Sequence, residues 1–253
     1  MVPVPPALGE ADRLRLEGEK SRRRREIWEA LQRERVARFP FPPQDRIPNF
    51  EGALEAAREL VKTPEFQGAQ VVKANPDAPQ LPLRSEVLRA GKRLVMPVPR
   101  LQDPRCFRLL RPGTATPPTI EAALSRGEAL FPEEVPFVDL VVAGSVGVGP
   151  RGERLGKGGG FSDLEWGLLT TVKRVGIATR VATTIHPLQR REVNLPMLPH
   201  DVPLDLAATP RGVERFPTFL PRPSGILPEE LTPATLSGIP WLKEWVSRQA
   251  RRR

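Results

Sequence analysis

Tyrosine is missing from this 253-residue chain, and cysteine occurs once, as Cys106. A single cysteine cannot form an internal disulfide, and no Cys/His cluster has the spacing of a zinc site. A reducing cytosol, and so a cytoplasmic location, is the expectation. Long apolar runs are also missing. The longest, around residues 140–143, falls far short of the roughly 18–20 residues a membrane helix needs, so no membrane partner is expected. The start, Met1 to Leu8, is Pro-rich and carries no charge ahead of an apolar stretch, which is not the pattern of a signal peptide. Methionine and asparagine are scarce, a bias that fits a thermophile or a GC-rich coding sequence alike.

What is present is an ordinary hydrophobic fraction of 39% and a net charge of +9, most of it arginine. The length suits one large domain or two small ones, at about 100–200 residues each. Arginine favours bidentate contacts to phosphate, so the charge points to phosphorylated ligands, to nucleic acid, or simply to a solvated basic surface. The acids interspersed among the arginines favour the last.

Residues Ala11 to Phe39 read as a long helix, stopped by Pro40, Pro42 and Pro43, and Arg22 to Arg25 lie inside it. A second helix is expected over Gly52 to Lys62, with Leu54, Ala57, Leu60 and Val61 on one side. Gln70 to Ala74 and Arg93 to Pro97 read as strands. Between them Leu83 to Ala90 read as a helix closed by Gly91, which makes a βαβ unit. Ile120 to Leu124 form a short helix. The nearly continuous apolar stretch Phe137 to Val148 predicts a central strand covered on both faces. A helix follows from Asp163 to about Val175, then strands at Val181 to Ile185 and Leu204 to Ala207, and a terminal helix near Trp241 to Arg248. The expected fold is a three-layer α/β/α domain with a mostly parallel sheet over residues 1–215, of which 1–9 are a loose tail. Residues 216–253 form a Pro-rich extension.

The segment from Arg154 to Glu165 joins the strongest strand to a helix and contains Gly156-Lys157-Gly158-Gly159-Gly160. Ser162 as N-cap with Glu165 three residues on reads as a capping box. Free N–H groups and the positive helix end favour an anion there, and glycines let the backbone approach it. With Lys157 and Arg154 nearby, the loop reads as a phosphate cradle. Gly147 to Gly152 carry the letters of a dinucleotide fingerprint but lead into more loop, with Pro150 in the middle. No Walker A pattern is present, and Gly144-Ser145-Val146-Gly147 lacks the glycine spacing of a nucleophile elbow. His186 and His200 stand isolated and read as structural, and Cys106 as a small buried residue.

The loop resembles the signature of 5-formyltetrahydrofolate cyclo-ligase. The matching residues are Val138-Asp139-Leu140-Val141-Val142, Gly152, and Arg154-Leu155-Gly156, Gly158, Gly160 and Asp163. Upstream, Lys20 and Arg24 resemble the family's ATP-contacting lysine and arginine, and Gly91-Lys92 its middle segment. Arg46 to Phe50, Asn75-Pro76-Asp77, Pro99-Arg100-Leu101, Val141 to Ser145 and Asp163-Leu164-Glu165 resemble the methenyltetrahydrofolate synthase domain-containing subgroup. The resemblance implies the cyclo-ligase fold and ATP-dependent closure of 5-formyltetrahydrofolate, a small-molecule substrate, with Mg²⁺. It implies that Lys20, Arg24, Arg154 and Lys157 hold phosphate oxygens, with Gly156, Gly158, Gly159, Gly160, Phe161 and Ser162 lining the nucleotide site. Asp163 and Asp205 are implied as metal contacts, Asp77 and Phe161 as folate contacts, and Arg154 and Lys157 as the residues acting in catalysis. Where the family has two tyrosines the chain has Phe161 and Ser162. A phenylalanine stacks on a flat ring but donates no hydrogen bond. The competing reading is a non-catalytic protein on the same fold that binds nucleotide or RNA. A monomer or weak dimer is expected.

Overall fold

The computed structural model describes residues 9–114, 117–217 and 220–251. The chain opens with α1 (Glu10–Arg33), a short strand pair β1 (Ala37–Arg38) and β2 (Asn49–Phe50), α2 (Ala53–Val61) and α3 (Pro64–Gly68). Then come β3 (Val71–Ala74), α4 (Leu81–Arg89), β4 (Arg93–Pro97), β5 (Phe107–Leu110), α5 (Ile120–Arg126) and β6 (Glu128–Leu130). The second half contains β7 (Leu140–Val142), β8 (Gly147–Val148), β9 (Arg154–Leu155), α6 (Phe161–Thr171), β10 (Arg180–Thr184), β11 (Leu206–Thr209) and β12 (Gly212–Arg215). It ends with α7 (Pro233–Gly238) and α8 (Pro240–Arg251).

An eight-stranded sheet runs in the order β12-β11-β10-β7-β3-β4-β5-β6. The central pairings are parallel, whereas β12 at one end and β5 and β6 at the other are antiparallel. Alternating side chains feed two cores. Val72, Ala74, Leu140 and Val142 meet Leu60 of α2 and Leu83 and Val87 of α4. Val71, Val141 and Val181 meet Trp166 and Leu169 of α6 and Leu242 and Trp245 of α8 on the other face. The result is the expected three-layer α/β/α arrangement. A smaller core joins Ile27, Trp28 and Leu31 of α1 to Val146 and Leu155 of the β8–β9 hairpin. Among the described residues no helix is long and apolar enough to cross a membrane.

Several boundaries differ from the sequence reading. The first helix ends at Arg33, well before the prolines, because Arg35 turns to a φ of 56° and lets β1 pair with β2. On α2 the buried residues are Ala53, Ala56, Ala57 and Leu60, while Leu54 is exposed. The apolar run Phe137 to Val148 is divided between two sheets: β7 stops at Val142, and β8 pairs with β9 and makes one further bridge, Val148 to Arg190. Gly144 shows why. A Cβ there would sit 2.8 Å from Ile47 Cγ1 and 2.9 Å from Asp77 Oδ2, so the chain passes beneath these residues where no side chain fits. The expected tail, Met1 to Gly9, lies outside the described residues apart from Gly9.

Candidate functional site

The parallel strands β3 and β7 end side by side, and the turns leaving them build the site. Asn75 fastens it together. Its N–H donates to Val142 O at 3.2 Å, and its Oδ1 accepts from the Gly144 N–H at 3.3 Å and from Ser162 Oγ at 3.2 Å. Its Nδ2 donates to Glu165 Oε2 at 3.1 Å. Glu165 in turn is ion-paired with Lys73, both buried. Burial, partly offset by Lys73, raises the Glu165 pKa above the usual carboxylate range. Arg84 pins the same turn by donating to Asn75 O at 2.7 Å and Asp77 O at 2.9 Å. Its guanidinium pKa is lowered to about 10 by burial.

These contacts correct the capping-box expectation. The N-cap of α6 is Gly160, at a φ of 67°, and Ser162 lies inside the first turn. Asn75 and Lys73 take the two side chains that a capping box would use. The N–H groups of Phe161, Ser162 and Asp163 belong to the first turn, which has no intrahelical acceptors, so the anion-favouring character of the helix start survives without the cap.

The glycine loop is held from both sides. Arg24 of α1 donates from Nε to Gly156 O at 2.7 Å, and its pKa is lowered by burial. Arg154 lies beneath the loop, 2% exposed, donating to Gly144 O at 3.0 Å and to Asp163 Oδ1 at 2.5 Å. Burial opposes the Arg154 charge, but Asp163 more than offsets it, and its pKa stands above the ordinary value. Asp163 is likewise held below the usual range: burial alone would raise it, and Arg154 overrides that. Both hydrogen bonds to Asp163 end on Oδ1, the second from the Val202 N–H at 2.9 Å, and its carboxylate borders open space.

Two adjoining cavities flank the loop. The smaller, about 170 Å³, is lined by Glu17, Lys20 and Arg24, by Gly156, Gly158 and Gly160, and by Asp163, His200 and Asp201 among others. The larger, about 390 Å³, is lined by Gly158, Gly159, Gly160, Phe161 and Asp163, by His200, and by residues from Pro223 to Ile239. Together they fall within the range of roughly 300–1,000 Å³ usual for small-molecule sites. Lys20 is buried and donates to Asp201 Oδ2 at 2.5 Å.

The structure thus brings together Lys20, Arg24, the glycines, Phe161 and Asp163. It does not bring Asp205 to them. Asp205 lies where β11 begins, at the opposite ends of the strands, with Oδ2 accepting from the Val181 N–H at 2.7 Å and from Arg222 at 2.6 Å. The expected metal contact there is corrected: Asp205 anchors Arg222. Arg154 is a support under the loop, turned to a carboxylate and a carbonyl instead of the cavities. Lys157 is exposed and reaches Asp77 Oδ1 at 3.0 Å, and neither residue lines either of these two cavities. Arg22 and Arg23 are balanced by Glu19 and Glu26 on their own helix, as a solvated face would be.

Sequence reasoning missed Asp201, His200 and Glu230. His200 Nδ1 lies 2.6 Å from Glu230 Oε2, and His200 lines both cavities. His186 is structural as expected, accepting from the Leu188 N–H and packing edge-on against Phe50. Cys106 is fully buried, which pushes its thiol pKa up. Gly147 belongs to β8, and Gly149 to Gly152 form the turn of the β8–β9 hairpin.

The model of the 5-formyltetrahydrofolate cyclo-ligase family matches residues 17–210. The methenyltetrahydrofolate synthase domain-containing proteins of Mus musculus and Bos taurus are each 35% identical, over 233 and 227 residues. Those matches take in 89% and 87% of this chain but 63% and 60% of the relatives, so the chain spans about three fifths of their length. The solution structure of Aquifex aeolicus 5,10-methenyltetrahydrofolate synthetase shares the fold, with a TM-score of 0.50 at 22% identity, covering 83% of this chain and 98% of that one.

Proposed function

The chain belongs to the 5-formyltetrahydrofolate cyclo-ligase family, and on that footing we propose that it closes 5-formyltetrahydrofolate to 5,10-methenyltetrahydrofolate with ATP. The observation that supports this best is the cavity where Lys20 and Arg24 meet the glycine loop and the start of α6. ATP passes its γ-phosphoryl group to the formyl oxygen and leaves as ADP. N10 then attacks the formyl carbon, the carbon–oxygen bond to phosphate breaks, and the N10 proton goes to solvent. Such chemistry needs positioning and charge neutralisation more than a nucleophilic side chain.

The residues divide this work. Arg24 holds the loop through Nε, touches Ser21 Oγ from one terminal nitrogen at 3.5 Å, and turns its other N–H groups to phosphate oxygens. Lys20, fixed by Asp201, offers its other ammonium protons. Lys157 pairs with Asp77 on the surface, where such a bridge contributes only about 0–1 kcal/mol. A phosphate oxygen can therefore take the ammonium from Asp77 as the reaction proceeds, leaving the Asp77 carboxylate for the pterin.

The smaller cavity carries three carboxylates, Glu17, Asp163 and Asp201, beside two cations. A bare polyphosphate would be repelled by that lining, whereas one carrying a divalent cation suits it. No group of three or more metal-ligating side chains converges among the described residues, but Mg²⁺ in nucleotide sites is commonly held by one or two carboxylates plus the phosphates. Asp163 is the residue that would hold it. The ion would neutralise charge developing on the phosphoryl oxygens.

Mixing the chain with 5-formyltetrahydrofolate and MgATP tests the proposal. The ultraviolet band of the methenyl product is expected. ATP binding without that band would favour the non-catalytic reading.

A further inference from the structure

The larger cavity has two walls. One is α6, through Phe161, Leu164 and Gly167; the other is the segment after Pro223, through Ile226, Leu231 and Ile239. That second wall lies beyond residue 210, where the family match ends. It is tied down from several elements. Trp166 Nε1 donates to Pro223 O at 3.0 Å, and the Ile226 N–H donates to Thr171 Oγ1 at 3.0 Å. Glu230 accepts from both terminal nitrogens of Arg13 on α1, at 2.6 and 2.7 Å, as well as facing His200. Gly167 permits the close approach: a Cβ there would meet Ile226 Cγ1 at 3.2 Å and Gly225 O at 3.3 Å.

The two cavities share Gly158, Gly160, Asp163 and His200. One is lined by charges and the other largely by apolar side chains. A ligand that joins a polyanion covalently to a flat aromatic base fits both at once. Inorganic phosphate has no use for the second cavity, and Asp77, proposed to meet the pterin, lies outside both linings. Resting on the ATP-dependent reading above, we infer that the apolar cavity takes the adenosine of ATP and that residues 223–239 form the outer wall of this nucleoside subsite. Phe161 then stacks against the nucleotide base instead of folate. Thr232 and Thr235, whose hydroxyls lie 2.9 Å apart in the same lining, supply hydrogen-bonding groups for the ribose or base edge.

The test compares two probes on the full chain with Mg²⁺ present: ATP and inorganic tripolyphosphate. ATP is expected to bind at least about tenfold tighter, a difference of about 1.4 kcal/mol. Ala234→Trp, an exposed lining position, is expected to abolish that advantage while leaving tripolyphosphate affinity unchanged. Equal affinity of the two probes, or an undiminished ATP advantage in Ala234→Trp, would overturn the subsite. Should that variant fail to fold, photolabelling the unsubstituted chain with 2-azido-ATP decides the matter. Label within 223–239 supports the wall, and label confined to other peptides refutes it. Turnover of 5-formyltetrahydrofolate is read separately. Lost turnover with an intact ATP advantage counts against the proposed reaction while supporting the subsite.

Discussion

Lys20 and Asp201 are 181 positions apart, and their side chains meet at 2.5 Å, both buried. The pair joins α1 to the segment before β11 and sets the position of the Lys20 ammonium. Removing one partner of a buried pair leaves the other charge uncompensated, at a cost of about 3–5 kcal/mol. Lys20→Met should lower unfolding stability by that order in denaturant titration. The double variant Lys20→Met/Asp201→Leu should regain most of the stability without regaining ATP affinity. Recovery of both would remove Lys20 from the nucleotide site.

In the proposed reaction Asp163 would hold the metal ion, and its pairing with Arg154 lowers its pKa. Asp163→Asn is expected to raise the Mg²⁺ concentration needed for half-maximal ATP binding about tenfold, equivalent to about 1.4 kcal/mol. An unaltered Mg²⁺ dependence in a folded variant would argue that the ion sits elsewhere.

Lys157 differs from the buried cations because its side chain is 42% exposed. Lys157→Ala should leave thermal stability within about 0.5 kcal/mol of the parent, as expected for a surface pair. ATP affinity should nevertheless fall, and nucleotide titration checks this. No change in that titration would mean that the phosphates lie away from Lys157.

Glu230 responds to acid. Hydrogen bonding from Arg13 is the main influence and His200 adds to it, so the folded carboxyl titrates below its ordinary value of 4.5 despite partial burial. A depressed carboxyl contributes stability that is complete above its unfolded value and is lost as pH falls through the folded one. Melting temperature should therefore decline on the acid side of about pH 4.5, and more gently in Glu230→Gln. Parallel declines in the two proteins would show that the Arg13–Glu230–His200 cluster does not govern the acid limb.

The legible parts of this chain were those whose signals are local. Gly156 to Gly160 announce themselves by composition, Arg93–Pro97 by an apolar run between a glycine and a proline, and Gly91 by its place after a helix, where its φ is 73°. The capping box is misread because Ser162 and Glu165 look the same whether they serve the helix end or, as here, Asn75 and Lys73 at the end of β3, 87 to 92 residues upstream. Asp201 and Glu230 carry no local signal at all: each is tied to a partner on α1 far away in sequence. The division of the apolar run at Gly144 was hidden for the same reason, since Ile47 and Asp77 are what forbid a side chain there. The antiparallel strands β5, β6 and β12 lie outside the strand–helix–strand pattern that marks the parallel strands.

The central claim is that nucleotide and folate react with one another in this site. The most direct measurement records methenyl product and released phosphate in the same mixture of chain, 5-formyltetrahydrofolate and MgATP. The account predicts that the two appear together in equal amounts and that both vanish when ATP is left out. Phosphate released without methenyl product, or methenyl product formed without ATP, would contradict it.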